Sequence, residues 1–258
     1  MTNNFSAFNI FNKSNYKLES SAIIHSDFMV LGKNALKYRN KIRKSIFKET
    51  NLENIFIPTF SYYGKKTNFD LTDKAIKMGV FANECIEHLH EDTIQRSPNP
   101  IHSYVHLSRY PTKTKFEKNF KNNVSFGSKS VFKYFEEFDP LWCCLGCDIT
   151  DGFTVFHHAE TIAQVPYRKW ITLKKNILVN GKDKLINYQY FDKIVPMKFD
   201  FNNAVINLIK SNIVSKFKYG NSIAYIGKYK IILHEILNKL ENDPFYLAKP
   251  ANKDMVFK

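Results

Sequence analysis

The stretch PLWCCLGCDITDGFTVFHHAE, Pro140 to Glu160, restricts the fold more than any other part of the chain. Pro140 to Cys147 is nearly continuous in apolar residues, too short for a membrane span and too uniform for a strand with one wet face. It reads as a strand buried on both sides, the kind found inside sheets covered by helices. Asp148 to Gly152 supplies turn residues, and Phe153 to Ala163 reads as the helix that follows. In open α/β sheets, ligands sit beyond the carboxyl ends of the strands, so this junction is the first place to look for chemistry.

The rest of the chain repeats the alternation. Ser21 to Leu31 begins as a buried strand and turns at His25-Ser26-Asp27. Asn34 to Thr50 reads as a helix, Asn54 to Phe60 as a short strand, and Leu71 to Glu91 as one or two helices. Arg96 to Ser103, RSPNPIHS, holds two prolines in eight residues and reads as a shaped loop. The stretch from Asn122 to Tyr134 passes from a Gly/Ser loop into a helix. Strands are expected around Trp170 to Val179 and Leu185 to Tyr190, and helices near Phe201 to Ser215 and Tyr229 to Leu240. No repeat or linker interrupts the series. The fold class is α/β, three-layer α/β/α with a mixed central sheet, and the expected organisation is a single domain over residues 1–258.

Hydrophobic content of 44% and charged content of 24% fit a globular chain. The N-terminus lacks the apolar core of a signal peptide, and no apolar run approaches a membrane span. Three of four cysteines crowd into one segment, which argues against a disulfide framework. A cytoplasmic location with no membrane partner is expected. The formal charge of +14 fits phosphate-bearing partners, although a Lys- and Asn-rich composition of the kind AT-rich codons produce accounts for much of it. The segment from Thr161 to Lys258 carries 17 Lys plus Arg against 7 Asp plus Glu. Its Lys and Phe residues form no RNA- or DNA-binding motif, so a basic nucleic-acid-binding protein is a distant alternative and no nucleic-acid partner is expected.

His157 and Glu160 lie three residues apart and share a face of the predicted helix. Glu160 in that position fixes the tautomer of the imidazole and leaves its other nitrogen as a base. An ordinary polar helix face is the competing reading. His158 points elsewhere. Cys144 and Cys147 suggest half a zinc site, but no second pair accompanies them, and no metal is expected. A cysteine nucleophile would have to work from an apolar strand, where burial raises the thiol pKa.

Several segments, in order, resemble the aminoglycoside 3-N-acetyltransferase (antibiotic N-acetyltransferase) family. IHSDFMVLG from Ile24 is similar to the family's H-S-S-L-x-x-x-G opening, and PTFSY from Pro58 to its P-T-F-S. Met78-Gly79 precedes RSPNPIHS, which resembles R-S-x-H-P-x-x-S. FGSKS from Phe126 resembles F-G-x-x-S. Thr154, His157, Ala159 and Glu160 match T-x-x-H-x-A-E, and VPYRK from Val165 matches V-P-Y-R. The resemblance implies an enzyme, a CoA-dependent N-acyltransferase whose co-substrate is acyl-CoA. It implies direct attack of a sugar amine on the thioester, with His157 as general base and Glu160 as its partner.

It further implies that His25, Ser26, Asp27, Phe28, Thr59, Ser97, Ser103 and Tyr167 meet the coenzyme, with Arg168 beside them. Tyr62, Arg96, Asn99, Asp148 and Asp151 are the candidates for the acceptor, with helix capping the competing role for the two aspartates. Asn99 stands where the family has His, and Asp27 and Phe28 where it has Ser and Leu. These departures bear on the acceptor more than on the reaction, and the basic charge and the chain length favour an anionic acceptor over an aminoglycoside. A dTDP-linked 3-amino-3,6-dideoxyhexose of O-antigen or capsule synthesis is the expected acceptor, taking an acetyl or 3-hydroxybutanoyl group, with antibiotic acetylation as the alternative. A homodimer is the default assembly.

Overall fold

The computed structural model describes residues 6–13, 16–38, 40–61, 68–99, 101–111, 123–179 and 182–251, with only the backbone of Leu36, Asn68, Asp151 and Val179. Its centre is a seven-stranded sheet in the order β10-β11-β6-β1-β2-β5-β4. The strands are β1 (Ser21–Ser26), β2 (Asn54–Pro58), β4 (Ile94–Arg96), β5 (Tyr104–Ser108), β6 (Leu141–Leu145), β10 (Val214–Tyr219) and β11 (Ser222–Lys228). β1 runs parallel to both β2 and β6, and the other pairings are antiparallel. The sheet is therefore mixed, as the sequence predicts.

Alternation along the central strands assembles two cores, one on each face. Ile23, Phe56, Trp142 and Cys144 point into one, where they meet helices α3 (Val131–Phe138), α4 (Thr154–Ile162), α5 (Phe201–Lys210) and α6 (Tyr229–Asn242). Ala22, Ile24, Ile55, Ile57, Leu141, Cys143 and Leu145 point into the other, against α1 (Ile42–Glu49) and α2 (Gly79–Glu87). Burial on both faces explains why these strands read as continuous apolar runs.

The other strands form two small sheets. β3 (Asn68–Asp70), β7 (Arg168–Val179) and β8 (Lys182–Lys193) make one, and β9 (Met197–Phe199) pairs with β12 (Ala248–Pro250). Three predicted helices are shorter than expected, and the one near Phe201 to Ser215 ends at Lys210, with Val214 and Ser215 taken into β10. Only Ile42–Glu49 of the Asn34 to Thr50 stretch is α-helical, after a 3-10 segment over Phe28–Tyr38 kinked at Gly32. From Leu71 to Glu91 only Gly79–Glu87 is helical, because β3 takes Asp70 and a turn follows it. No helix among the described residues is long and apolar enough to cross a membrane.

Topology decides where the site lies. β1, β2 and β6 are parallel, so their carboxyl ends share one edge of the sheet. β5 is antiparallel to β2, so the loop entering β5, residues 97–103, reaches that same edge.

Candidate active site

After β6 the chain must turn sharply to start α4. Gly146 adopts a φ of +82°, and a Cβ there would meet the Asp27 carbonyl oxygen at 2.8 Å. Asp148 then accepts from the Thr150 backbone N–H at 2.8 Å and from its hydroxyl at 2.7 Å, capping the 3-10 turn Ile149–Gly152. Gly152 lets this turn lie against Trp142, whose indole N–H donates to the Gly152 carbonyl at 2.8 Å. α4 follows with Val155, Phe156 and Ala159 buried.

His157 leaves α4 toward a cleft of about 250 Å³ lined by Phe60, His102, Thr150, Phe153, Thr154, Arg168, Tyr190, Lys193, Phe199 and Phe201. Its side chain is 26% exposed, whereas that of Glu160, one turn on, is fully buried. His157 Nδ1 stands 2.6 Å from Glu160 Oε2. The Tyr167 hydroxyl donates to Glu160 Oε1 at 2.7 Å, and Arg168 Nη2 lies 3.0 Å from Oε2. Burial alone would raise the Glu160 pKa. The neighbouring His157, Arg168 and Tyr167 outweigh it and hold the carboxyl below its usual range. An ionised Glu160 keeps the proton of His157 on Nδ1. The Arg168 N–H, although 3.1 Å from Nδ1, then belongs to the carboxylate. Nε2 is the nitrogen left with a lone pair, and no described residue hydrogen-bonds it. Phe199 and Phe201 meet the imidazole edge-on, at 5.8 Å and 5.5 Å between ring centroids, and fix its plane.

Of the residues read from sequence, the structure brings His157, Glu160, Tyr167 and Arg168 together. Tyr167 lies behind Glu160, wholly buried, rather than on the cleft surface, because its ring packs in the core while its hydroxyl serves the carboxylate. Thr59, Ser103 and Arg96 form a second buried cluster. Thr59 Oγ1 and Ser103 Oγ are 2.9 Å apart, and Arg96 donates to the Thr59 carbonyl at 2.9 Å and to the carbonyls of Leu71 and Asp73 at 2.6 Å each. Arg96 is thus spent on backbone acceptors that tie β2, the turn after β3 and the 97–103 loop together.

Ser97 accepts from the Tyr104 backbone N–H at 3.0 Å, and Asn99 is taken up by its own loop. None of Arg96, Ser97, Asn99, Thr59 and Ser103 lines the cleft around His157. Nor does the turn after β1: His25 is buried beside Trp142, Asp27 caps the Met29 backbone N–H at 2.9 Å, and Phe28 packs between Phe8, Tyr38 and Phe81. Ser26 presents its carbonyl to Gly79. Asp148 serves as the cap of the turn. Tyr62 and the side chain of Asp151 lie outside the described residues.

The cleft also contains residues that sequence reading passed over. His102 stood in plain view in RSPNPIHS, three positions after Asn99. Tyr190 and Lys193 come from β8, Phe199 from β9 and Phe201 from the start of α5, where no motif marks them. Burial pushes the Cys143 thiol well above its ordinary pKa, and none of the cysteines lines the cleft. Cys144 and Cys147 stand together, with Sγ atoms 2.8 Å apart. No group of three or more His, Cys, Asp or Glu among the described residues is arranged to hold a metal ion.

A family model described as aminoglycoside 3-N-acetyltransferase matches residues 54–239, more than two-thirds of the chain. Among curated proteins, sequence comparison finds no significant match. The structure superposes on that of aminoglycoside acetyltransferase AAC(3)-IIb with a TM-score of 0.70 at 14% identity, covering 92% of this chain and 96% of that one. It superposes on AAC-IIIb in its binary complex with CoASH with a TM-score of 0.69 at 16% identity, covering 91% and 93%. The YokD protein from Bacillus subtilis gives 0.67 at 16%, covering 92% and 98%.

Proposed function

This chain belongs to the aminoglycoside 3-N-acetyltransferase family, and on that premise we propose that it acetylates the amine of an aminoglycoside-type sugar, using acetyl-CoA. Membership makes it a CoA-dependent N-acyltransferase. The observation that carries the mechanism is the 2.6 Å pairing of His157 Nδ1 with buried Glu160, which leaves Nε2 facing the cleft. An ammonium group is no nucleophile. Nε2 takes a proton from the amine as the nitrogen attacks the thioester carbon, and Glu160 stabilises the imidazolium that forms. No cysteine intermediate is involved, and the whole of residues 1–258 acts as one catalytic domain.

A second reading concerns the acceptor. The described cleft is lined by Arg168 and Lys193 and by no carboxylate, with both cations set over the Phe199 ring at 5.3 Å and 5.4 Å. A polycationic antibiotic is better received by carboxylates, and an amino sugar carrying phosphate by this pair. The test follows release of CoA thiol from acetyl-CoA or 3-hydroxybutanoyl-CoA. Each donor is offered with an aminoglycoside or with a dTDP-linked 3-amino-3,6-dideoxyhexose. Fast release with the aminoglycoside alone supports the first reading. Fast release with the nucleotide sugar alone replaces it with the second, and silence with every pair overturns both.

A further inference from the structure

The cleft holds a second imidazole, His102, which the general-base mechanism does not use. Its placement is tightly determined. Asn99 Oδ1 accepts the backbone N–H groups of Ile101 at 3.0 Å and His102 at 2.7 Å, and the Tyr188 hydroxyl donates to the same oxygen at 2.8 Å. The ring is clamped by Phe126, Phe60 and Tyr190, with centroids 4.8 Å, 5.3 Å and 5.9 Å away. His102 is 6% exposed, and its Nδ1 is buried with no hydrogen-bond partner. Nε2 is not so enclosed, and no described residue bonds to it, so it is the nitrogen that meets the cleft.

An orphaned buried N–H is costlier than an orphaned lone pair, which places the ring proton on Nε2. Burial, followed by the charges of His157 on α4 and Arg168 on β7, lowers the pKa of His102 to about 3. The cleft therefore presents two imidazoles of opposite character: a lone pair on His157 and a fixed donor on His102. Both rings flank Phe126, whose centroid is 5.9 Å from that of His157.

We propose that His102 is a further catalytic residue, donating from Nε2–H to the thioester carbonyl oxygen and to the oxyanion that forms there. The amine lone pair makes the C–N bond while the carbonyl π pair moves onto oxygen, where His102 holds it. The amine proton passes to His157 Nε2. On collapse the C=O bond reforms, the C–S bond breaks, and the CoA thiolate leaves with the proton from His157. An uncharged donor suits this position, since an imidazolium there would repel the charged form of His157.

The inference rests on the acyl-transfer reading, and the experiment separates the two. His102→Phe keeps the shape and removes the donor, and His102→Gln keeps a donor. With whichever acceptor supports turnover, His102→Phe is expected to lower kcat roughly 10²–10³-fold with little change in KM for acetyl-CoA. His102→Gln is expected to recover at least about tenfold of that loss, with the acid limb of the pH profile unmoved. A His102→Phe kcat within about threefold of wild type, or a loss confined to KM, overturns the proposal while leaving the His157 mechanism intact.

Nitrogen NMR of the wild-type histidines provides a readout independent of turnover. His102 should be a neutral Nε2–H tautomer from about pH 5 to about pH 8, and its resonances should move when acetyl-CoA is added. Titration in that range, an Nδ1–H tautomer, or no response to acetyl-CoA overturns the proposal, even if every acceptor fails and the functional reading falls with it.

Discussion

His157 and His158 are neighbours on one helix, each paired with a glutamate, and they do opposite things. His157 shows its outer nitrogen to the cleft and keeps its carboxylate, Glu160, entirely buried. His158 is itself wholly buried, and its carboxylate, Glu136, is the partly exposed member. Both nitrogens of His158 are occupied: Nε2 is 2.9 Å from Glu136, and Nδ1 accepts the Gly127 backbone N–H at 3.2 Å. It ties the Gly/Ser loop to α3 and stacks on Phe132 at 5.2 Å. A histidine–carboxylate pair is therefore not in itself a catalytic device. What matters is whether one nitrogen remains for a substrate, and a rotation of about 100° along the helix decides that.

The sharpest test of the contrast is His157→Ala. Turnover, followed as CoA thiol release, should fall roughly 10²–10⁴-fold, while acetyl-CoA still shifts the melting temperature. Near-normal turnover would remove the general base from the mechanism. Glu160→Gln should cost less, on the order of 10-fold to 100-fold, because the carboxylate orients the base and does not carry the transferred proton. An equal or larger loss without unfolding would give Glu160 a more direct part.

His158→Phe should reverse the pattern, leaving kcat within about threefold but lowering denaturant stability by about 1–3 kcal/mol, as Gly127 and Glu136 lose their partner. If it abolishes turnover in a folded protein, the two histidines are not distinct in role.

The smallest effect is on the pH dependence of folding. Burial, partly offset by Glu136 and reinforced by Lys133, lowers the His158 pKa, so the folded state binds its proton less readily than the unfolded chain. Its contribution is intact above about pH 6.5 and is lost as pH falls below that value, by at most about 1.4 kcal/mol per pH unit. Melting curves between pH 7 and pH 5 should show a shallower acid slope for His158→Phe than for wild type. The slope should not vanish, because burial also lowers His25, His102 and His106 to about 3.

How far the sequence carried depends on the kind of signal. PLWCCLGC announced β6 because a strand buried on both faces must be apolar throughout, and the observed Leu141–Leu145 falls inside it. Helix α4 followed from the turn residues before it, and the His157–Glu160 contact from their spacing of three. The shortened helices between residues 34 and 91 were not legible in this way. Lys and Arg in that stretch give good local helix propensity, but the chain there is bent into 3-10 turns and β3 by packing against distant elements.

The loop 97–103 shows the limit most clearly. Its two prolines marked it as shaped, yet the residue that reaches the cleft is His102, not Asn99. Asn99 turns inward because its side-chain oxygen gathers three donors, two of them from its own loop.

By itself, then, the sequence determined the layered α/β plan, the strands β1, β2 and β6 and the imidazole–carboxylate pair, since each depends on residues close in the chain or on continuous burial; β4, β5, β10 and β11 of the same sheet were not legible in it. Only the tertiary structure decided the walls of the cleft. Phe60, just after β2, and His102, at the entry to β5, meet there because parallel and antiparallel strands bring their ends to one edge of the central sheet, while Arg168 and Lys193 arrive as a register pair of the separate β7–β8 hairpin and Phe201 from the start of α5. That convergence is fixed by strand order and direction, which no local pattern of residues encodes.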